Sequence, residues 1–558
     1  QLEDMEQQTA ACANGIDAAE ATELLRDDLV PAAVEYLESI LDVREPVPEG
    51  TPLHIQYSCR TVASTGDCID WSATPAPGAK CFAATYDTAH FPERTTYRLL
   101  DNGQLGAEPR VEPGGPGLYN TDIVVYVTAR DTGICGGSIA QAGMCAQDPV
   151  TDRPVAGNIN FCPCELKTRS MVDAGEGGMH SGVWAEERRL QVGTTVHELV
   201  HVLGISANLF PYWRDANNGG APRVERNAFG QPLENDAAAL STLGRVEVRD
   251  SVPVLRSLAT PALVAAARAQ TSCAEVTEVE LEDEGGAGSA LSHFEMKHYY
   301  GELMTAQGDR VQLLTGMSAG ALEDSGWYVV DDAVKEAKMN YGLGAGCALF
   351  EDSLCNQPTH FPEFLCDSST LDFDFDVPHD LVNAAQRPSP GHKMSRFACT
   401  PDGLAVGVCG EGNQEGFLGG CRRVVEYSNW FCPHAQGMGK MWGESYGADS
   451  RCFESTLWLK VDRQKMTVSS NVAPLGAGCF RRRCDAEGNL DVLINGAWQR
   501  CASDGQELRD PGFEGGYVRC PSDVAAYCAH SVCPDECHLN GACVSGACEC
   551  YPGYGGVN

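Results

Sequence analysis

The apolar positions Leu24, Leu25, Leu29, Ala32, Val34, Leu37 and Leu41 recur at helical spacing, and predict one long amphipathic helix over residues 19–41. Further on, "TDIVVYVTA" (121–129) is a short apolar run of β-branched residues, the pattern of a buried or half-buried strand. "AGNINFCPC" (156–164) predicts another. "GTTVHELVHVLGIS" (193–206) returns to helical spacing and stops near Gly204, where a glycine lets the chain turn sharply away. "NNGGAPR" (217–223) is a loop by composition. "TPALVAAARAQ" (260–270) predicts a helix with Thr260 as N-cap and Pro261 in the first helical position. "EDEGGAGSALSH" (282–293) is a glycine-rich approach to a histidine, and from Cys347 to Cys528 the chain is turn-rich and mainly β in pattern. The class is α+β. The expected divisions are 1–205, ending in the 193–206 helix; 206–345, a mixture of loops and helices; 346–528, cysteine-rich; and a short terminal module, 529–558.

Composition narrows the function classes. An apolar content of 43%, whose longest runs are short, such as Ile123 to Val127, fits a soluble globular protein and offers no membrane span. The formal charge is −37, from 77 acidic against 40 basic residues, which excludes non-specific binding to nucleic acid or anionic lipid. Such charge keeps a protein soluble; the competing use is surface Ca²⁺ binding, for which Asp372, Asp374 and Asp376 are the best local candidates. Their alternation with phenylalanine reads better as a half-exposed strand.

The 27 cysteines imply an oxidising, extracellular setting, secreted or cell-surface, and many disulfides. Cys162 and Cys164 in "CPC", and Cys432 beside His434 in "CPH", are therefore read as disulfide partners rather than metal ligands. No Asn-x-Ser/Thr sequon occurs. The chain opens on Gln1 without a leader, as a trimmed mature chain does. Its last residues space Cys533, Cys537, Cys543, Cys548 and Cys550 as C-x3-C-x5-C-x4-C-x-C, which resembles an EGF-like module. A sixth cysteine is expected just beyond Asn558, and would make the count even.

The strongest chemical signal is His197-Glu198-Leu199-Val200-His201, an H-E-x-x-H segment. On a helix, positions i and i+4 lie about 40° apart around the axis, so both imidazoles point to one side and can share an ion at ~2.0–2.1 Å. Glu198 stands at the rim of that face and can reach a metal-bound water without ligating the metal. With 13 histidines in 558 residues, a chance match is expected only about 0.02 times. Zinc needs a third protein ligand and an open position. The compact extension of the motif would place it at position 207, which is Ala207, so it comes from elsewhere: His180, His293 and His298 are the candidates. Met304, eleven residues after His293, can serve as a soft apolar floor.

Here the chain resembles the leishmanolysin family of metzincin peptidases. "HELVHVLGIS" is similar to the family's helix motif with its glycine, Gly204, and "VELEDEGGAGSALSH" to the segment that ends in the third ligand. The resemblance implies His293 as that ligand and, through "GELMTA", Met304 as the Met-turn residue. "LVPAAVEYLESILDV", "YNTDIVVYVTA", "GALEDSGWY" and "YGLGAGC" resemble further family segments, so the likeness covers roughly Cys12 to Cys528. The 92 residues from His201 to His293 imply extra surface loop near the cleft. The implied fold is a metzincin-type core split over two subdomains, followed by the disulfide-rich domain and the partial EGF-like module.

The implied activity is zinc-dependent endopeptidase action on proteins, with one Zn²⁺ on His197, His201 and His293 and with Glu198 as general base. The alternative is an extracellular adhesion or matrix protein that keeps a peptidase-like scaffold and binds partners through the EGF-like module.

Overall fold

The computed structural model describes chiefly residues 5–62, 68–71, 80–96, 110–173, 184–306, 312–351, 394–399, 405–410, 421–433, 443–459, 476–529 and 541–550, apart from one or two positions within some of these stretches. The N-terminal helix forms as Ala18–Glu23, a π-helical stretch Leu24–Leu29, and Val30–Ile40. Leu24, Leu25, Leu29, Ala32 and Leu37 are buried as expected, but Ala33 replaces Val34 on the inner face. At about 100° per residue, Ala32, Ala33 and Leu37 fall on the side of Leu29, while Val34 is turned well away from it. Leu41, expected as the last helical position, instead opens a short strand that pairs antiparallel with Tyr328–Val330.

The sheet that positions the site has three strands: β1 (Val124–Ala129), β2 (Ala140–Gln147) and β3 (Pro154–Phe161). Their order is β1-β3-β2, with β3 parallel to β1 and antiparallel to β2. All eight residues of β3 are buried, as a central strand requires. It carries two asparagines. Asn158 donates to the Tyr126 carbonyl at 2.7 Å, and Asn160 accepts from the Arg130 amide at 3.0 Å. These bonds satisfy groups whose burial would otherwise be costly.

Helix α1 (Trp184–Leu203) lies against this sheet and buries Leu190, Val192, Val196, Leu199, Val200 and Val202. The approach is close. A methyl group at Gly157 would sit 2.3 Å from Val202 Cγ1, so the strand has no room for a side chain there. Beyond α1, helices α2 (Pro261–Thr271) and α3 (Gly316–Asp324) pack on each other and enclose the main core with Trp213, Phe294 and Met317. Thr260 is the N-cap residue and Pro261 the first helical one, as expected, but the Thr260 hydroxyl makes no capping bond. Asp324, at the end of α3, accepts from the Leu263 amide at 2.9 Å. A carboxylate from a distant segment thus satisfies an amide of the first turn.

The C-terminal part is mainly β. Six strands follow the order Ala497–Cys501, Leu490–Ile494, Gly476–Cys484, Ser450–Ser455, Val518–Arg519 and Glu507–Leu508. Asp372–Phe373 pairs with Met394–Ser395, in keeping with the strand reading there, while Asp374 and Asp376 lie outside the described residues. A hairpin joins Gly541–Val544 to Ala547–Cys550; Cys533 and Cys537 lie outside the described residues.

Eight disulfides link described cysteines. Cys12–Cys164, Cys81–Cys145 and Cys135–Cys162 brace the first sheet, and Cys273–Cys347 ties α2 forward. Cys399–Cys452, Cys432–Cys479, Cys484–Cys528 and Cys501–Cys520 staple the C-terminal part. Cys162 and Cys164 thus enter two separate bridges and Cys432 a third, while His434 lies outside the described residues.

The two glycines beside the helix separate by experiment. Gly157→Ala should lower stability by about 1–3 kcal/mol, as overpacking does. At Gly204 a methyl would rest 3.5 Å from the Trp327 ring, an ordinary contact. Gly204→Ala should therefore change stability by less than about 1 kcal/mol. Denaturant midpoints measure both; equal losses would show that α1 does not depend on a side-chain-free β3.

Candidate metal centre

Helix α1 delivers two histidines. Val196, Leu199 and Val200 face the core, which turns His197 and His201 together toward the opposite side. Gly204 ends the helix, but without left-handed backbone. The amides of Gly204 and Ile205 both donate to the Val200 carbonyl, at 3.0 and 3.2 Å, and the Gly204 carbonyl accepts from the Trp213 indole at 3.1 Å. The sharp turn is thus made by shared hydrogen bonds around Val200 rather than by glycine's conformational range.

The long excursion after α1 returns at Ser289–His293. There the Glu282 amide donates to the His293 carbonyl at 2.9 Å, and the Phe294 amide donates to the Met304 carbonyl at 2.9 Å. The segment bearing His293 is therefore stitched to the turn bearing Met304. Met304 is fully buried in the same core as Phe294 and Val200.

The three imidazoles converge. His293 Nε2 is 3.1 Å from His197 Nε2 and 3.1 Å from His201 Nε2. Each ring is oriented from behind: Nδ1 of His197 lies 2.6 Å from the Leu303 carbonyl, that of His201 2.6 Å from the Ile205 carbonyl, and that of His293 2.7 Å from the Ser289 carbonyl. A carbonyl only accepts, so each Nδ1 carries the proton and each Nε2 presents a bare lone pair. Burial, together with the neighbouring histidines, holds His197 down to about 3 and His293 well below the ordinary value. Burial holds His201 down to about 4. All three are neutral at physiological pH.

Three lone pairs aimed at one point repel unless a cation lies between them. Tetrahedral zinc with bonds of ~2.0–2.1 Å sets its ligand nitrogens about 3.3 Å apart, close to the separations here. The donor set fits that ion.

Glu198 is buried beside the triad, and burial pushes its carboxyl up to about 8. The Ala142 amide of β2 donates to it. His298 is not brought to the triad: its ring packs against Phe350 and Tyr299, and its Nδ1 lies 3.5 Å from the Glu280 carboxylate. His180 lies outside the described residues. A second acidic group, Glu282, Asp283 and Glu295, sits nearby. Burial, and then the facing Glu282, push Glu295 up to about 8, so it keeps its proton at neutral pH.

Sequence reasoning missed Glu302, although it lies two residues before Met304. It is fully buried. Its Oε2 accepts from the Met304 amide at 2.5 Å, and its Oε1 from the Ser318 hydroxyl at 2.7 Å and the Thr315 hydroxyl at 3.2 Å. One carboxylate thus ties the turn at Met304 to the start of α3. A lone acid in an apolar stretch was the available signal, since such a residue is rarely buried without partners.

The family profile described as Leishmanolysin matches residues 111–533, about three quarters of the chain, from β1 through the triad and into the β-rich part. The chain belongs to the leishmanolysin family. A leishmanolysin-like peptidase of Drosophila melanogaster is 24% identical over 600 residues, covering 95% of this chain and 79% of that protein. One from Caenorhabditis elegans is 25% identical over 584 residues, covering 91% and 80%. The ciliated left-right organizer metallopeptidase of Homo sapiens is 29% identical over 424 residues, covering 72% of this chain and 45% of that protein. A metallopeptidase is what the family implies for this leishmanolysin-family chain.

Two outcomes test the centre. His293→Ala should weaken zinc binding by more than about 100-fold, beyond the loss that outer partners of ligands produce, while folded His298→Ala protein should still hold one zinc; metal content after dialysis reads both. The second concerns pH. Burial raises Glu302 from the ordinary 4.5 to about 7, so its ionisation penalises the folded state. The penalty is absent below about 4.5, grows up to about 7 and is constant above. Relative to Glu302→Gln, the wild-type protein should therefore lose thermal stability as pH rises through that interval; parallel pH profiles would refute the assignment.

Proposed function

We propose that this leishmanolysin-family chain is a secreted or cell-surface zinc metalloendopeptidase that hydrolyses peptide bonds within proteins. The observation that carries the reading is the triad of bare Nε2 atoms with a buried carboxylate, Glu198, on the same helix and hydrogen-bonded to the edge of β2. The eight disulfides support an extracellular setting. Among the described residues no helix is long and apolar enough to cross a membrane.

His197, His201 and His293 would hold the zinc as neutral imidazoles, with their Nδ1–H bonds fixing ring orientation. Zinc, when bound, supplies a Lewis acid that lowers the pKa of water and polarises a carbonyl. Glu198 is the proton carrier. Burial makes its carboxylate a stronger base than an exposed one, so it takes a proton at Oε from the attacking water and later gives it to the departing amine. The Ala142 amide keeps that carboxylate aimed along the edge of β2. An extended substrate can add to this edge as a further strand, because β2 pairs only with β3 among the described residues. Residues 1–205 and 206–345 would form the two sides of the cleft, with Met304 as the floor beneath the ligands. Residues 346–528 follow as a stapled β domain, and 529–558 as an EGF-like module, a reading the hairpin at Gly541–Cys550 supports and one that would offer matrix or surface partners a contact.

A purely adhesive protein on a retired scaffold has no physical need for a buried carboxylate beside three bare imidazole nitrogens. Glu198→Ala should keep its zinc and lose at least about 100-fold in the rate of casein cleavage, the usual share of general acid–base catalysis. Unchanged cleavage would remove Glu198 from the reaction. A zinc-loaded wild-type protein that cuts no protein would favour the adhesive reading.

A further inference from the structure

The edge of β2 has a face that the chemistry above leaves unused. Ala140, Ala142 and Met144 point toward α1 and its cores. Gln141, Gly143 and Cys145 point to the opposite face, where Cys145 packs with Cys81, Ala84 and Tyr86. A small hairpin, Lys80–Cys81 paired with Ala84–Thr85, lies over that face. It is fastened twice: Cys81 is bonded to Cys145, and the Ala83 amide donates to Asn158 Oδ1 at 3.2 Å.

The tip of this hairpin is Phe82. Its backbone is left-handed, with φ of 50°, and the residue is 63% exposed. A bulky residue adopts that backbone only where its surroundings impose it. The ring sits directly over Gly143: a methyl group there would lie 2.8 Å from Phe82 Cε2 and Cζ. Glycine at 143 thus lets an exposed aromatic ring lie flush beside the strand edge that carries Ala142, the residue bonded to Glu198.

On the peptidase reading, a substrate adds to this edge as an extended strand. Residues opposite one another on paired strands point to the same face. The substrate residue opposite Gly143 therefore sends its side chain toward Phe82. We propose that Phe82, held over Gly143 by the Cys81–Cys145 bridge, is a specificity-determining residue that selects an apolar or aromatic side chain at that one substrate position. This rests on the peptidase reading and deepens it.

The test uses the zinc-loaded full chain with peptides in which each position around the cleaved bond is set in turn to Ala, Leu, Phe, Lys or Glu. The wild-type protein should prefer Leu and Phe at one position. In Phe82→Ala, kcat/KM should fall about tenfold further on the Leu and Phe peptides of that position than on the Ala peptide, the discrimination one apolar contact provides. Phe82→Lys should move the preference there toward Glu. Thermal midpoints confirm that both variants fold, since the side chain is mostly in water. A cleavage profile that keeps its shape in both variants, or a loss equal at every position, overturns the role of Phe82 while leaving the peptidase reading intact. A zinc-loaded wild-type protein that cleaves no peptide overturns that reading, and the proposal with it.

Discussion

Everything in the site depends on three short hydrogen bonds from imidazole Nδ1 atoms to backbone carbonyls. They decide the tautomers, and the tautomers decide that the lone pairs meet. The three carbonyls come from different places: Leu303 in the Met-turn, Ile205 just past α1, and Ser289 in the glycine-rich loop. The centre is therefore only as well defined as the mutual packing of these segments. That explains the investment around the Met-turn. Glu302 clamps the Met304 amide from one side, and Phe294 binds the Met304 carbonyl from the other. With both bonds in place the Leu303 carbonyl has little freedom, and neither does the His197 ring.

The helix of His197 and His201 was legible because its signal is local. A spacing of four on a helix fixes direction without knowledge of the rest of the fold, and the buried Val196, Leu199 and Val200 show which side is inward. His293 was not legible in that way. Its spacing from His201 carries no geometry, and only family resemblance separated it from His298 and His180. The structure brings His293 to the triad and leaves His298 against Phe350. Strands β1 and β3 were visible as apolar runs; β2 was not, because "AQAGMCAQ" is small and weakly patterned, as suits an edge held by a disulfide and a helix.

The details that differ divide by range. Thr260 and Pro261 open α2 as their local pattern implies, but the carboxylate that accepts from the Leu263 amide, Asp324, arrives from a segment far along the chain. Glu302 is alike: its partners at 315 and 318 become neighbours only after folding. In both, tertiary packing adds what an isolated segment does not show. The other two are local. Steps of about 100° per residue bring Ala33 and Leu37 inward beside Leu29 and turn Val34 outward. At Gly204 the turn is made by two amides sharing one carbonyl rather than by left-handed backbone.

The contact between Gly157 and Val202 links the two halves of the chemistry. Two of the three imidazoles ride on α1, and a substrate strand would ride on β2, so their separation depends on how deeply α1 beds into the sheet. A reacting group misplaced by about 1 Å can cost about 100-fold in rate. A methyl at position 157 would lie 2.3 Å from Val202 Cγ1, so the helix or that valine would have to give way. The hydrogen bond from Ala142 to Glu198 spans the same gap from the other end. Helix depth, carboxylate aim and strand position are one constraint, and a residue with no side chain sets it.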